Sequence, residues 1–388
     1  MVEYDVIIIG AGSVGVPAAL AMVKEGLKTL VIDSFPSVAQ GDNKQAIGGI
    51  RATHTHKGKI LVCQRSIEIF SKWEENYSED IWWEQGGYTF LAYTEEYETL
   101  LKETIKIQKN YGLKISYVGP ERIRELIPGI NERGLLGGTY SPEDGNASPL
   151  LALHSFYRQS RNFGCEYHFN EKVIDIIVKK NRIHGIKTAR GIYKSNFVIN
   201  AAGGNAKDIG SMLNIPTPVE PESHEAGITE PVKKFFSPMV VDIRPYEDKV
   251  FGNSLNYYFY QNNEGKILFC LTPSPKIPGF DRRETSSFLP QISKRMLQLL
   301  PRLRNIKIRR TWRGLYPMTP DGNPIVGKVN EIEGYVNAVG MCGQGFMLGP
   351  GLGELLSRLL TDKINTKDRE ILETFSYNRD FGKEEELK

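Results

Sequence analysis

Apolar and polar positions set the first elements. Residues 4–9, Tyr4-Asp5-Val6-Ile7-Ile8-Ile9, are a short, mostly β-branched run that stops at Gly10. Such a run suits a strand buried on both faces and is far too short to cross a membrane. Residues 17–25 follow with Ala18, Ala19, Leu20, Ala21 and Val23, a helix-forming set with Pro17 near the first turn and Gly26 as the stop. Residues 29–32, Thr29-Leu30-Val31-Ile32, predict a second strand that ends at Asp33. Strand, glycine turn, helix, strand and acid is the order of a βαβ unit that binds a dinucleotide.

Two later segments repeat this logic. Residues 197–204, Phe197-Val198-Ile199-Asn200-Ala201-Ala202-Gly203-Gly204, run from an apolar strand into small residues, after strands expected at 172–178 and 183–188. Residues 334–346 end a strand in the turn Gly340-Met341-Cys342-Gly343-Gln344-Gly345-Phe346, with a helix expected over about 350–360. Between these blocks, residues 86–96 and 250–272 are aromatic and β-prone, including Tyr257-Tyr258-Phe259-Tyr260, and suggest a separate sheet. The expected fold is α/β, of mixed α+β character. A discontinuous Rossmann-like nucleotide domain would comprise residues 1–80, 146–215 and 316–388. Residues 81–145 and 216–315 would build a substrate domain on a mixed, largely antiparallel sheet.

In the first turn Gly10 permits the tight bend, Gly12 lets backbone approach a pyrophosphate beside Ser13 and Val14, and Gly15 lets helix and strand pack closely. The same glycines could serve a tight βα corner without a ligand. Asp33 stands 21 positions after Gly12, where a carboxylate can accept from ribose hydroxyls and would repel a 2′-phosphate. This disfavours NADP but does not separate NAD from FAD. Composition changes the picture by exclusion. The 388 residues carry 49 basic and 46 acidic side chains for a net charge of +3, without a long basic run, which argues against nucleic acid. Cys63, Cys165, Cys270 and Cys342 have no zinc or iron–sulfur spacing, so no metal is expected. Without a basic leader before the first apolar run, a reduced cytoplasmic setting is expected. The charged stretch 383–388 is expected to be a solvated end.

Taken in order, the motifs resemble the flavin-dependent amine and amino-acid oxidoreductases of the D-amino-acid oxidase superfamily, and most of all the sarcosine oxidase β subunit and proline dehydrogenase β subunit group. The likeness rests on Gly10-x-Gly12-x-x-Gly15 with Asp33, Gly48-Gly49-Ile50-Arg51, Val198-Ile199-Asn200-Ala201-Ala202-Gly203, the run from Trp312-Arg313-Gly314-Leu315-Tyr316-Pro317 to Gly327, and Gly343-Gln344-Gly345-Phe346. It implies FAD held by the first domain and substrate bound against the second domain's sheet. The cofactor set is then Gly10, Gly12, Ser13, Val14, Gly15, Asp33, Ser34, Gly48, Gly49, Val173, Ala202, Gly203, Gly314, Gly343, Gln344, Gly345, Phe346 and Met347.

The resemblance places Arg51 on a substrate carboxylate, for which a guanidinium is suited by its paired donors; a structural salt bridge is the plainer alternative. Tyr316 matches a pocket tyrosine. Tyr258 and Tyr260, two apart, would share a strand face, an alternation equally natural for a packed core. His54 and His56 read as ordinary loop residues. Gly314 stands where monomeric relatives carry a flavin-linking cysteine, so FAD is expected to be noncovalent, and no covalent second flavin is expected near Pro149. Met347 and Gln344 replace a lysine and a histidine, which leaves the substrate open among proline, sarcosine and glycine types. No lysine matches the oxygen-activating one, with Lys266 the nearest, so a dehydrogenase is expected before an oxidase. The resemblance also implies redox partner subunits and an oligomer. Oxidation of a hydroxy acid or glycerol phosphate, and a noncatalytic flavoprotein module, are the alternatives.

Overall fold

The computed structural model describes residues 3–382; the charged stretch 383–388 lies outside the described residues. The first strand, Glu3–Ile9, lies inside an eight-stranded sheet. It pairs in parallel with Thr29–Ile32 on one side and Gly191–Asn200 on the other. Glu166–His168 extends the sheet beyond Thr29–Ile32, and Tyr335–Val339 extends it beyond Gly191–Asn200. Val6, Ile7 and Ile8 are fully buried because both faces are covered. Helices Gly15–Lys24, Lys57–Ser71, Pro149–Asn162 and Gly345–Leu360 pack together in one layer. On the other face lies the core containing Ile176, Ile186 and Ile209. The antiparallel pair Val173–Lys179 and Arg182–Thr188 contributes to it.

The second sheet also has eight strands, ordered Ile308–Met318, Glu220–Pro231, Lys266–Ser274, Asn253–Gln261, Met239–Asp242, Tyr88–Ala92, Gly137–Tyr140 and Ser116–Val118. All its pairs are antiparallel except Met239–Asp242 with Tyr88–Ala92, so the sheet is mixed and largely antiparallel as expected. Period-two alternation sorts its faces. Tyr257 and Phe259 face the core shared with helix Phe288–Leu299, while Tyr258 and Tyr260 face the opposite side.

Three expectations change in detail. Residues 86–96 are not one strand, because Thr94 caps helix Glu95–Asn110 by accepting from the Tyr97 N–H. The helix expected from 350 begins at Gly345 and carries Pro350 inside it. Proline removes one helical bond, and close packing of the glycine face described below holds the helix through it. Ile308–Met318 runs through the expected boundary between 315 and 316, so one strand of the second sheet carries residues of both expected domains.

Candidate functional site

The glycine turns converge on one cavity of about 760 Å³ between the two sheets. In the first turn Gly10 has φ +114°, and a Cβ there would lie 2.3 Å from the Ala201 carbonyl oxygen. A Cβ on Gly15 would lie 1.9 Å from the Gly10 oxygen. Gly15 therefore brings helix onto strand and is not among the cavity residues, whereas Gly12, Ser13 and Val14 line the cavity. Apart from its chain neighbours, no atom of the described residues comes within 4 Å of a Cβ built on Gly12, so bare backbone fronts the cavity there. The Asp33 carboxylate accepts from the Ala11 N–H at 2.7 Å and the Phe35 N–H at 2.8 Å. Burial pushes its pKa up, and those two donors oppose the shift.

Ser34, Val173, Ala202, Gly203 and Gly314 line the same cavity, with Gly48 and Gly49. The last turn contributes Gly343, Gln344, Gly345, Phe346 and Met347. Here helix Gly345–Leu360 starts toward the cavity with no acidic residue in its first turn, so its positive end is not offset locally. Gln344 and Asn43 are buried and line the cavity, and Gln344 Oε1 and Asn43 Oδ1 have no hydrogen-bond partner among the described residues. Bare turns, two helix starts, a carboxylate and unpaired buried acceptors together fit a flavin nucleotide.

Beyond these turns the cavity passes under the second sheet. Arg51 is 4% exposed; its guanidinium donates to the Thr53 carbonyl and lies 5.3 Å from the Phe90 ring centre. Tyr258 and Tyr316 both line the chamber, with hydroxyl oxygens 2.5 Å apart. Burial holds both phenols well above their ordinary pKa, so they stay neutral hydrogen-bonding groups. Tyr260 is a correction. It is absent from the cavity wall, and its hydroxyl donates to the Ile47 carbonyl at 2.5 Å, fixing the chain just before Gly48. Lys266 is also outside the wall, paired with Glu264 at 2.9 Å.

The structure adds residues that the sequence pattern passed over. His224 lines the chamber and stacks on Tyr316, with ring centres 3.8 Å apart and planes 19° from parallel. Its strand, Glu220–Pro231, is rich in glutamate and ends in proline, so nothing in its pattern announces a central strand. Cys270 lies below the two tyrosines; burial pushes its thiol up to about 11, which keeps it protonated. Asp144, outside the wall, accepts from the Ala52 N–H at 2.9 Å and so braces the segment that carries Arg51. His54 is fully buried beside Cys63, at 3.6 Å, and is no part of the wall. Among the described residues no cluster suited to a metal ion occurs, and no helix is long and apolar enough to cross a membrane.

A nucleotide cradle opening onto an arginine and a tyrosine pair defines the class as flavin-dependent oxidoreductase. The family described as "DAO: FAD dependent oxidoreductase" matches residues 5–359, and the chain belongs to it. The chain is 25% identical over 372 residues to mitochondrial dimethylglycine dehydrogenase of Rattus norvegicus, covering 91% of this chain and 42% of that protein. It thus spans less than half the length of that relative. It is 23% identical to sarcosine oxidase subunit beta of an Arthrobacter species, covering 93% of this chain and 87% of the relative. Among solved structures, L-proline dehydrogenase from P. horikoshii superposes with a TM-score of 0.88 at 31% identity, over 96% of this chain and 97% of that one.

Proposed function

We propose that the chain oxidises a small amino acid or secondary amine of the proline, sarcosine or glycine type, with noncovalent FAD as oxidant. The observation that carries this is the buried Arg51 in the same cavity as the nucleotide-binding turns. The Gly10 to Val14 backbone would hold the pyrophosphate and Asp33 the ribose. The helix start after Gly343 would face the electron-rich edge of the ring system. FAD, when bound, would supply the two-electron acceptor for the hydride of the substrate α carbon; the substrate, bound as the neutral amine, would be left as an iminium with its N–H intact. Arg51 fixes the carboxylate through paired donors. Tyr258 and Tyr316 share one hydrogen bond, so one phenolic proton remains for the Cys270 thiol or a substrate oxygen. Aromatic walls exclude water from the reacting carbon.

The relatives named as β subunits support a further part of the reading, that electrons leave to a partner subunit. Dehydrogenase before oxidase rests on the sequence motifs, in which no lysine matches the oxygen-activating one; Lys172 and Lys276 line the cavity and Lys266 does not. Purified protein loaded with FAD should bleach anaerobically on addition of proline, sarcosine or glycine, and simple hydroxy acids should leave the spectrum unchanged. Arg51→Ala should raise the apparent KM about 30-fold, the loss of about 2 kcal/mol expected for a desolvated charge pair. Bleaching by hydroxy acids alone would replace the amine reading, and an unchanged KM would remove Arg51 from the carboxylate.

A further inference from the structure

Three groups bear on Tyr316. A Cβ added to Gly343 would stand 2.4–2.7 Å from Cε2, Cδ2 and Cζ of the ring, so the Gly343 turn lies directly against the phenol. The His224 imidazole stacks on the ring, 3.8 Å between centres. At its tip is the Tyr258 hydroxyl. Pairing explains the stack. Glu222 stands opposite Tyr316 and His224 opposite Gly314, so His224 and Tyr316 are diagonal neighbours on one face of an antiparallel pair. Rings reach each other at that separation. Gly314 offers no side chain opposite His224, which leaves the imidazole room to lean across.

We infer that His224 is a positioning residue, clamping the Tyr316 ring against the Gly343 turn and thereby holding the tyrosine pair in the substrate chamber. The inference rests on the amine-oxidising reading given above. The clamp as inferred acts through the stacked face of the ring. Phenylalanine should therefore replace histidine, and alanine should not.

The test uses the FAD-loaded protein with cyclopentanecarboxylate, a carboxylate that cannot be oxidised as an amine, titrated against the flavin spectrum between pH 5.5 and 8. His224→Ala should weaken its binding about threefold to tenfold, the range a stacked ring pair supplies. It should also shift the visible flavin bands, because the Gly343 turn loses its backing. His224→Phe should restore binding to within about threefold, with wild-type bands and an unchanged pH dependence. If the alanine variant fails to fold, His224→Leu, which keeps bulk but no flat face, should show the same losses. The inference is overturned if His224→Phe binds as weakly as the alanine or leucine variant, if it alters the pH dependence, or if His224→Ala changes neither binding nor spectrum. Arg51→Ala separates the two claims. Probe binding that ignores Arg51 defeats the carboxylate assignment, while the flavin bands of the His224 variants still decide the clamp.

Discussion

Asp144 shows how much one residue outside the cavity wall can carry. Its carboxylate is 1% exposed, and burial pushes its pKa up to about 6, opposed by the Ala52 N–H and the Arg51 charge. An unfolded aspartate titrates near 3.9, so between about pH 4 and 6 the unfolded chain sheds this proton first. The stability contributed by the protonated form is complete below about pH 4 and is lost as pH rises through about 6. Two units correspond to about 3 kcal/mol at most. Asp144→Asn keeps an acceptor for Ala52 and has no charge to bury, so its stability relative to wild type should increase from pH 4 to 7, by about 2–3 kcal/mol. Denaturant melts at both pH values would show this, and a pH-independent difference would refute it. A lone Asp-Gly in a loop carries no such message in sequence. Its meaning comes from the two-residue pairing of Gly49–Ile50 with Gly145–Asn146, a contact across about a hundred positions.

At the scale of elements, the last helix is the sharpest case. Along Gly345–Leu360, Gly345, Gly349 and Gly353 recur at intervals of four and meet the first turn and its helix. A Cβ on Gly349 would fall 1.8 Å from the Ser13 carbonyl oxygen, and one on Gly353 2.8 Å from the Ala18 nitrogen. Glycine to alanine inside a helix ordinarily stabilises by about 1 kcal/mol. Here overpacking of about 1–3 kcal/mol should win and displace Ser13 from the cavity wall. Gly349→Ala should therefore lower the melting temperature and weaken FAD binding together; a stabilised protein with unchanged FAD affinity would contradict this packing. The same helix shows what was legible. Its glycine turn was readable because apolar strand, glycines and helix formers are local signals. Its start was not, because Pro350 argues locally for a boundary and only the tertiary packing overrides it. Likewise Thr29–Ile32 was legible to the residue, whereas Glu220–Pro231 was invisible, since its neighbours and not its own residues make it a strand. Tyr258 and Tyr260 were rightly placed on one face. Which of them reached the cavity depended on where the chain at Ile47 crossed the sheet.

On the scale of the molecule, the cavity wall includes positions 10, 12–14, 33–34, 48–49, 51, 173, 202–203, 224, 258, 314–316 and 343–347. The contributing segments come from both sheets, and their meeting place contains the buried acceptors Gln344 Oε1 and Asn43 Oδ1, unpaired among the described residues. A ligand that satisfies those acceptors binds only the folded arrangement, because the unfolded chain holds none of these segments together. Mass action then fixes the size of the effect: free FAD at a hundred times its Kd adds about 2.7 kcal/mol to the unfolding free energy, and each further tenfold adds about 1.4 kcal/mol. Melting temperature should accordingly climb with the logarithm of FAD concentration, and the probes of both sheets should move together, since the cavity belongs to neither alone. Single-tryptophan variants keeping only Trp312 on the second sheet, or only Trp73, buried in the helical layer of the first, can follow the two halves separately by fluorescence. If added FAD protected only the Trp73 half, the nucleotide would be held by the first sheet's turns alone, and the two-sheet chamber would form without the cofactor's help.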